Sequence, residues 1–111
     1  GKAEIYAVTE MSHPGGKMFT ALHAEEMAAM GARCGAAGFI APATRPERIA
    51  DIRRIIGGRK ILSPGVGAQG GSAADAIRAG ADYAIIGRAI YGAAEPRKAA
   101  RAFESEIRSV L

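Results

Sequence analysis

The feature that most restricts the fold of this chain is a short apolar run followed by a helical stretch, repeated along the sequence. The apolar runs begin near positions 4, 38, 60 and 82, and the starts at 38, 60 and 82 are evenly spaced by 22 residues. Strict alternation with short connections predicts parallel strands joined by right-handed crossovers. We therefore expect an α/β protein made of four βα units.

The first two units are predicted from apolar periodicity and from residues that begin or end helices. The first strand is expected over 4–9, and a helix over 17–31 that Gly31 closes. The second strand is expected over 38–41. Thr44 is then expected to cap a helix with Pro46 in its first turn, and Gly57 to end it.

The third and fourth units follow the same order. The third strand is expected over 60–63, followed by a glycine-rich stretch and a helix over 73–79 that Ser72 caps. The fourth strand is expected over 82–86 and is broken by Gly87 and Arg88. A last amphipathic helix begins after Pro96.

Two architectures satisfy this order of elements. An open, doubly wound sheet needs only the four units and no partner. A (βα)8 TIM barrel needs eight units and about 250 residues, so the 111 residues of this chain would form half of one. In that case residues 1–111 are expected to be the second half, βα units five to eight.

Composition narrows the function and the compartment. The net charge is +4, but the basic residues alternate with acids and aromatic residues make up only 5%, which argues against a nucleic-acid-binding surface. No apolar run reaches the roughly 20 residues of a membrane-spanning helix. The single cysteine, Cys34, excludes an internal disulfide, fits a cytoplasmic protein and is expected to be a small buried hydrophobe.

The glycine-rich stretch after the third strand contains Gly65, Gly67 and Gly70 in the spacing of a dinucleotide fingerprint. Such a site also needs an acidic residue at the carboxyl end of the next strand. Gly87 and Arg88 stand there, whereas Asp82 opens that strand at its other end. The dinucleotide interpretation and a glycine turn without ligand both stay open.

The barrel interpretation explains more of the sequence. Barrels commonly bind phosphate with the loops after strands seven and eight. In a second half, the glycine-rich stretch follows strand seven, and Gly87 and Arg88 follow strand eight. The Arg88 guanidinium could then bind the same phosphate through two hydrogen bonds.

Four motifs carry a family resemblance. Residues 9–15 read TEMSHPG, 44–48 read TRPER, 63–71 read SPGVGAQGG and 86–91 read IGRAIY. In this order they resemble the carboxy-terminal half of orotidine 5′-phosphate decarboxylases of the archaeal type, over essentially all 111 residues. The resemblance implies conversion of orotidine 5′-monophosphate to uridine 5′-monophosphate and carbon dioxide in pyrimidine biosynthesis, with no metal and no organic cofactor.

The resemblance also implies roles for individual residues. Ser12 would hydrogen-bond the amide edge of the pyrimidine. A mobile phosphate loop over 64–74 would close over the substrate, with Gln69 bridging phosphate and base. Gly87 and Arg88 would complete the phosphate site. The implied substrate-binding set is Ser12, Pro64, Gly65, Val66, Gly67, Ala68, Gln69, Gly70, Gly71, Ser72, Ala73, Ala74, Gly87 and Arg88.

The family's catalytic array is not implied for this chain. That array lies in an Asp-x-Lys-x-x-Asp motif, which the sequence does not contain, and none of the four lysines stands at the carboxyl end of a predicted strand. We therefore expect no catalytic residue in this chain and no activity from it alone.

The apolar inner face of a half-barrel, with residues such as Ile40, Leu62 and Ile85, favours association. We expect either a homodimer or pairing with a complementing amino-terminal half. The alternative function is a self-associating half-barrel that binds phosphate or nucleotide without catalysis.

Overall fold

The computed structural model describes residues 3–9 and 20–111. Within these ranges the chain forms strands and helices in alternation, with one additional short helix near the carboxyl end. The elements are β1 (Tyr6–Val8), α1 (Thr20–Arg33), β2 (Gly38–Ile40), α2 (Pro46–Ile56), β3 (Lys60–Ser63), α3 (Ala73–Ala79), β4 (Tyr83–Ala84), α4 (Arg88–Tyr91) and α5 (Pro96–Arg108).

The strands form a parallel sheet in the order β1-β2-β3-β4. In register, Val8 pairs with Ile40, Ile40 with Leu62, and Leu62 with Tyr83. The helices pack on one another in the same progression, α1 on α2, α2 on α3, and α3 on α5. Sequential strand order with a continuous row of helices is the arrangement of an α/β barrel, here over half of its circumference.

The two faces of the sheet differ sharply in exposure. On one face Phe39 and Ile61 are fully buried, in a cluster with the isoleucines of α2. Side chains alternate between the faces of a strand, so the residues next to them share the other face. On that face Val8 is 49% and Tyr83 is 53% exposed. In the described ranges, helices cover one face only, which is the arrangement of a half-barrel and not of a doubly wound sheet.

Ile40, Leu62 and Ile85, the residues expected on the inner face of a barrel, belong to this uncovered side of the sheet by register and alternation. Ile40 and Leu62 are half-buried by their neighbours. Ile85 is 46% exposed, although its N–H continues the ladder by donating to Ser63 O at 2.8 Å. We call this side of the sheet the open face.

Helix α3 has the bounds that the sequence predicts. Ser72 is its N-cap, and the Ser72 hydroxyl accepts a hydrogen bond from Asp75 N at 3.2 Å. The prediction for α2 is partly wrong, because its N-cap is Arg45 rather than Thr44 and no side chain caps it. Pro46 does occupy the first turn, where its missing N–H costs no hydrogen bond.

The prediction that Gly31 closes α1 is wrong. Gly31 lies inside the helix, which ends at Arg33, and a Cβ on Gly31 would stand 2.8 Å from Cε1 of Phe39. The glycine therefore makes room for the buried Phe39 ring. Gly35, with φ of +85°, follows the end of the helix. Cys34, next to this turn, is exposed, contrary to its expected burial.

An arginine organises the amino-terminal edge of the sheet. Arg53 on α2 donates to the carbonyl of Gly80 from two nitrogens, at 3.1 and 2.6 Å, and to Asp82 Oδ2 at 2.7 Å. The same Oδ2 accepts from Ile61 N at 2.8 Å. Asp82 thus joins α2 to the start of β3 and β4, at the end of the barrel that stabilises the fold rather than the one that carries chemistry.

The carboxyl end of the chain departs from prediction in two elements. The strand expected over 82–86 is shorter, and Arg88 begins a short helix, α4, that was not predicted. Among the described residues, no helix is long and apolar enough to cross a membrane.

Candidate functional site

Two connections meet at the carboxyl edge of the sheet. The first, residues 64–72, leads from β3 to α3 and is called the glycine loop below. The second, residues 85–87, leads from β4 to α4. They enclose an open cleft of about 220 Å³. Its lining consists of Pro64, Gly65, Val66, Ala68, Gln69, Ile85, Gly87, Arg88 and Tyr91.

The glycine loop is held together by its own backbone. Gly67 N donates to Gly71 O at 2.9 Å, and Gly71 N donates to Gly65 O at 3.0 Å. Gly65, Gly67 and Gly70 have φ values of +93°, +77° and +94°, a region that L side chains rarely adopt. The fingerprint spacing thus reflects a tight loop fold, and several of its amides bond within the loop rather than toward the cleft.

The glycine loop packs directly on the start of α4. A Cβ on Gly67 would lie 2.6 Å from the Cβ of Ala89 and 3.4 Å from Cζ of Phe103. The missing side chain therefore lets the loop approach the residue that follows Arg88. This contact sets the width of the cleft between the two connections.

The charge of the cleft comes from Arg88. Arg88 is the first residue of α4 and its side chain is exposed. Of the nine lining residues just named, Arg88 is the one cation, and none is a carboxylate, histidine or cysteine. A cleft lined by a guanidinium and by the amide side chain of Gln69 suits an oxyanion better than a metal ion.

The structure brings together half of the residues predicted to bind substrate. Seven of them line the cleft: Pro64, Gly65, Val66, Ala68, Gln69, Gly87 and Arg88. Gly67, Gly70 and Gly71 shape the glycine loop behind it, and Ser72, Ala73 and Ala74 begin α3, where the two alanines are buried. Ser12 lies outside the described residues.

Two lining residues were not predicted. Tyr91 stands one helical turn after Arg88, and its ring edge lies 3.5 Å from where a Gly87 Cβ would be. Recognising α4 as a helix would have placed it beside Arg88. Ile85 was assigned to the inner face only, without a role in the cleft.

The dinucleotide interpretation lacks its acidic residue. Asp82 lies at the amino-terminal edge of the sheet, bonded to Arg53 and to Ile61 N, whereas the cleft lies at the carboxyl edge. The carboxyl end of β4 leads to Gly87 and Arg88 instead. The position that a ribose-binding carboxylate requires is therefore occupied by a cation.

The fold and the site define the chain as half of an α/β barrel with a loop cleft at the carboxyl ends of its strands. The sequence profile of the Orotidine 5′-phosphate decarboxylase / HUMPS family matches residues 1–103. The chain belongs to this family and corresponds to its carboxy-terminal half.

Individual relatives agree with this assignment. The chain is 58% identical over 105 residues to an orotidine 5′-phosphate decarboxylase of Methanococcoides burtonii, covering 94% of this chain and 49% of the relative. A second orotidine 5′-phosphate decarboxylase, from Methanosarcina barkeri, is 57% identical over 105 residues. The match covers 94% of this chain and 48% of that relative. The chain thus spans about half the length of the curated relatives it matches.

Solved structures give the same picture. The crystal structure of the Pyrococcus horikoshii orotidine 5′-phosphate decarboxylase superposes with a TM-score of 0.86 at 52% identity, covering 96% of this chain and 51% of that one. The crystal structure of the Methanocaldococcus jannaschii orotidine 5′-monophosphate decarboxylase, complexed with the inhibitor BMP, also superposes with a TM-score of 0.86. The two sequences are 36% identical, and the match covers 94% of this chain and 49% of that one.

Proposed function

We propose that this chain is the substrate- and phosphate-binding half of an orotidine 5′-phosphate decarboxylase, equivalent to βα units five to eight of the barrel. The observation that carries the proposal is the cleft in which the glycine loop meets Arg88. Its ligand would be orotidine 5′-monophosphate as substrate and uridine 5′-monophosphate as product.

In this proposal Arg88 and Gln69 bind the ligand through their side chains. Arg88 donates two parallel hydrogen bonds to the 5′-phosphate, a geometry that a planar guanidinium favours. Gln69, across the cleft, bridges phosphate and base. Because several loop amides already bond within the loop, these side chains supply most of the affinity for the phosphate.

A phosphate site remote from the reacting carbon is useful to a decarboxylase. Binding energy from a non-reacting group can stabilise the transition state and drive loop closure. The glycine loop is the segment that would close, and Ser12 would hydrogen-bond the amide edge of the pyrimidine.

The bond-breaking step belongs to the other half of the barrel. By resemblance, an Asp-Lys-Asp array expels carbon dioxide and its lysine protonates the carbanion, and the motif of that array is not in this sequence. Lys60 begins β3 at the edge of the sheet opposite the cleft. We therefore propose that the chain is inactive alone and active when a complementing amino-terminal half covers the open face.

A second candidate is a half-barrel that pairs with its own copy and binds nucleotide without turnover. The exposed Val8, Tyr83 and Ile85 on the open face favour it, since apolar patches of this kind promote association. Such a homodimer would carry two phosphate clefts and no catalytic array.

Calorimetric titration of the chain with uridine 5′-monophosphate and with uridine tests the phosphate site. Arg88→Ala should weaken nucleotide binding about tenfold or more and change uridine binding less than about twofold, because a hydrogen bond to a charged group contributes about 1.5–3 kcal/mol. Arg97→Ala, which removes an exposed arginine outside this cleft, is the matched control and should change neither. Equal losses for both ligands in Arg88→Ala would overturn the assignment.

Mixing the chain with the amino-terminal half of one of its relatives separates the two candidates. Release of carbon dioxide from orotidine 5′-monophosphate by the mixture, and by neither half alone, supports the decarboxylase. Nucleotide binding with no turnover in any combination supports the binding module.

A further inference from the structure

Helix α5 touches the glycine loop segment at two points. The Phe103 ring lies against Gly67, as noted above. One turn further along the helix, the carboxylate of Glu106 reaches the end of the loop. Because α5 also packs on α4, which carries Arg88, it connects the two sides of the cleft.

The bonds of Glu106 are specific. Its Oε1 accepts from the Ser72 hydroxyl at 3.1 Å and from Ala74 N at 3.0 Å. The Ser72 oxygen in turn accepts from Asp75 N at 3.2 Å. Amides in the first turn of a helix have no partner within it. Two such amides of α3, those of Ala74 and Asp75, are thus satisfied by this chain's own side chains.

This arrangement directs an anionic ligand away from α3. A carboxylate already bonds at the amino-terminal end of that helix, so a second negative charge there would be repelled. The ligand phosphate is left to the Arg88 side of the cleft. The end of the glycine loop is at the same time hydrogen-bonded to α5, through Ser72 and Glu106.

We propose that Glu106 is a positioning residue for the phosphate site, a role that rests on the proposed function. It fixes where the glycine loop ends relative to Arg88, so that one end of a loop with four glycines is anchored before the ligand arrives. A loop with an anchored end has fewer conformations to lose when it closes on the ligand. Glu106 bonds to the end of the loop and is not among the residues that line the cleft.

The test compares three variants of this chain in titrations with uridine 5′-monophosphate and with uridine. Glu106→Ala should weaken nucleotide binding about tenfold, by loss of a charge-assisted anchor, and change uridine binding less than about twofold. Glu106→Gln keeps an acceptor oxygen and should recover most of the loss. Glu104→Ala, which breaks an exposed pair with Arg108 on the same helix, should bind like the wild type.

Hydrogen exchange at the Ala74 amide tests, without any ligand, whether Glu106 anchors the end of the loop. Without Glu106 the Ala74 amide has no partner, so Glu106→Ala should speed its exchange about tenfold, and Glu104→Ala should not. Unchanged exchange in Glu106→Ala, or equal losses of affinity for both ligands, would overturn the inference. Wild-type chain that exchanges as expected but does not bind uridine 5′-monophosphate would overturn the proposed function instead.

Discussion

Gly67→Ala is the substitution that most directly tests how the cleft is built. The new methyl group would stand 2.6 Å from the Cβ of Ala89, well inside van der Waals contact, on a backbone with φ of +77°. The backbone costs about 1–2 kcal/mol for an L residue. The overlap adds about 1–3 kcal/mol, as overpacking in a tight contact does. We expect a total loss of about 2–5 kcal/mol in unfolding free energy.

Gly70→Ala separates the two contributions. Gly70 has φ of +94°, but a Cβ there would meet nothing within 4 Å. The same backbone cost of about 1–2 kcal/mol is therefore expected without the overlap. Urea unfolding followed by circular dichroism measures the free energy of unfolding of both variants. The loss in Gly67→Ala beyond that in Gly70→Ala is the contribution of the contact with α4.

A double-mutant cycle then identifies the partner. Removing the opposing methyl group in Gly67→Ala/Ala89→Gly should recover at least about 1 kcal/mol beyond additivity. The nucleotide affinity should follow, falling in Gly67→Ala and returning in part in the double variant. Equal destabilisation by Gly67→Ala and Gly70→Ala, with no coupling to position 89, would refute the view that this contact sets the width of the cleft.

Two further predictions concern Arg53, at the amino-terminal edge of the sheet, and the pKa of Tyr6. Arg53→Lys keeps the charge but loses the forked donors, and should lower the unfolding free energy by about 1–2 kcal/mol in urea titrations, whereas Arg78→Lys in an exposed pair should change it by less than about 0.5 kcal/mol. Equal effects of the two would contradict the role of Arg53. The hydrogen bond from Tyr6 Oη to Glu4 raises the pKa of Tyr6 above its ordinary value of 10.0, which favours the neutral form in the folded state. Its contribution to stability is therefore complete below about pH 10 and is lost as pH rises through the folded-state pKa. Glu4→Ala should lower that pKa toward 10.0 in a carbon-13 NMR titration, and an unchanged value would show that Glu4 is not the cause.

Local signals in the sequence predicted the elements whose boundaries depend on local chemistry. Ser72 caps α3 through its own hydroxyl, and Pro46 starts α2 because its ring suits a first turn. Gly31 was misassigned because a glycine is needed there to make room for the Phe39 ring, which lies eight positions away in the chain and on another element. A glycine that ends a helix and a glycine that admits a neighbouring ring look alike in sequence.

The site shows the same division between near and distant causes. Arg88 could be predicted from its position after the fourth strand, and Gln69 from the family resemblance of the motif that contains it. Tyr91 could not, since its place in the cleft depends on the short helix α4. The role of Glu106 could not be predicted either, because no neighbouring residue on α5 indicates that it bonds to residues more than thirty positions earlier.

The sequential strand order leaves β1 and β4 as the two outer strands of the sheet in the part of the chain that the structure describes. A two-fold rotation about the barrel axis would place β4 of one copy beside β1 of the other, twice, and close a ring of eight. A different half-barrel with parallel outer strands meets the same geometric condition. Backbone hydrogen bonding at these edges would therefore not distinguish a copy from a foreign half. In either of the proposed assemblies, the choice of partner would depend on the fit of interior side chains, to which this chain would contribute Val8, Tyr83 and Ile85.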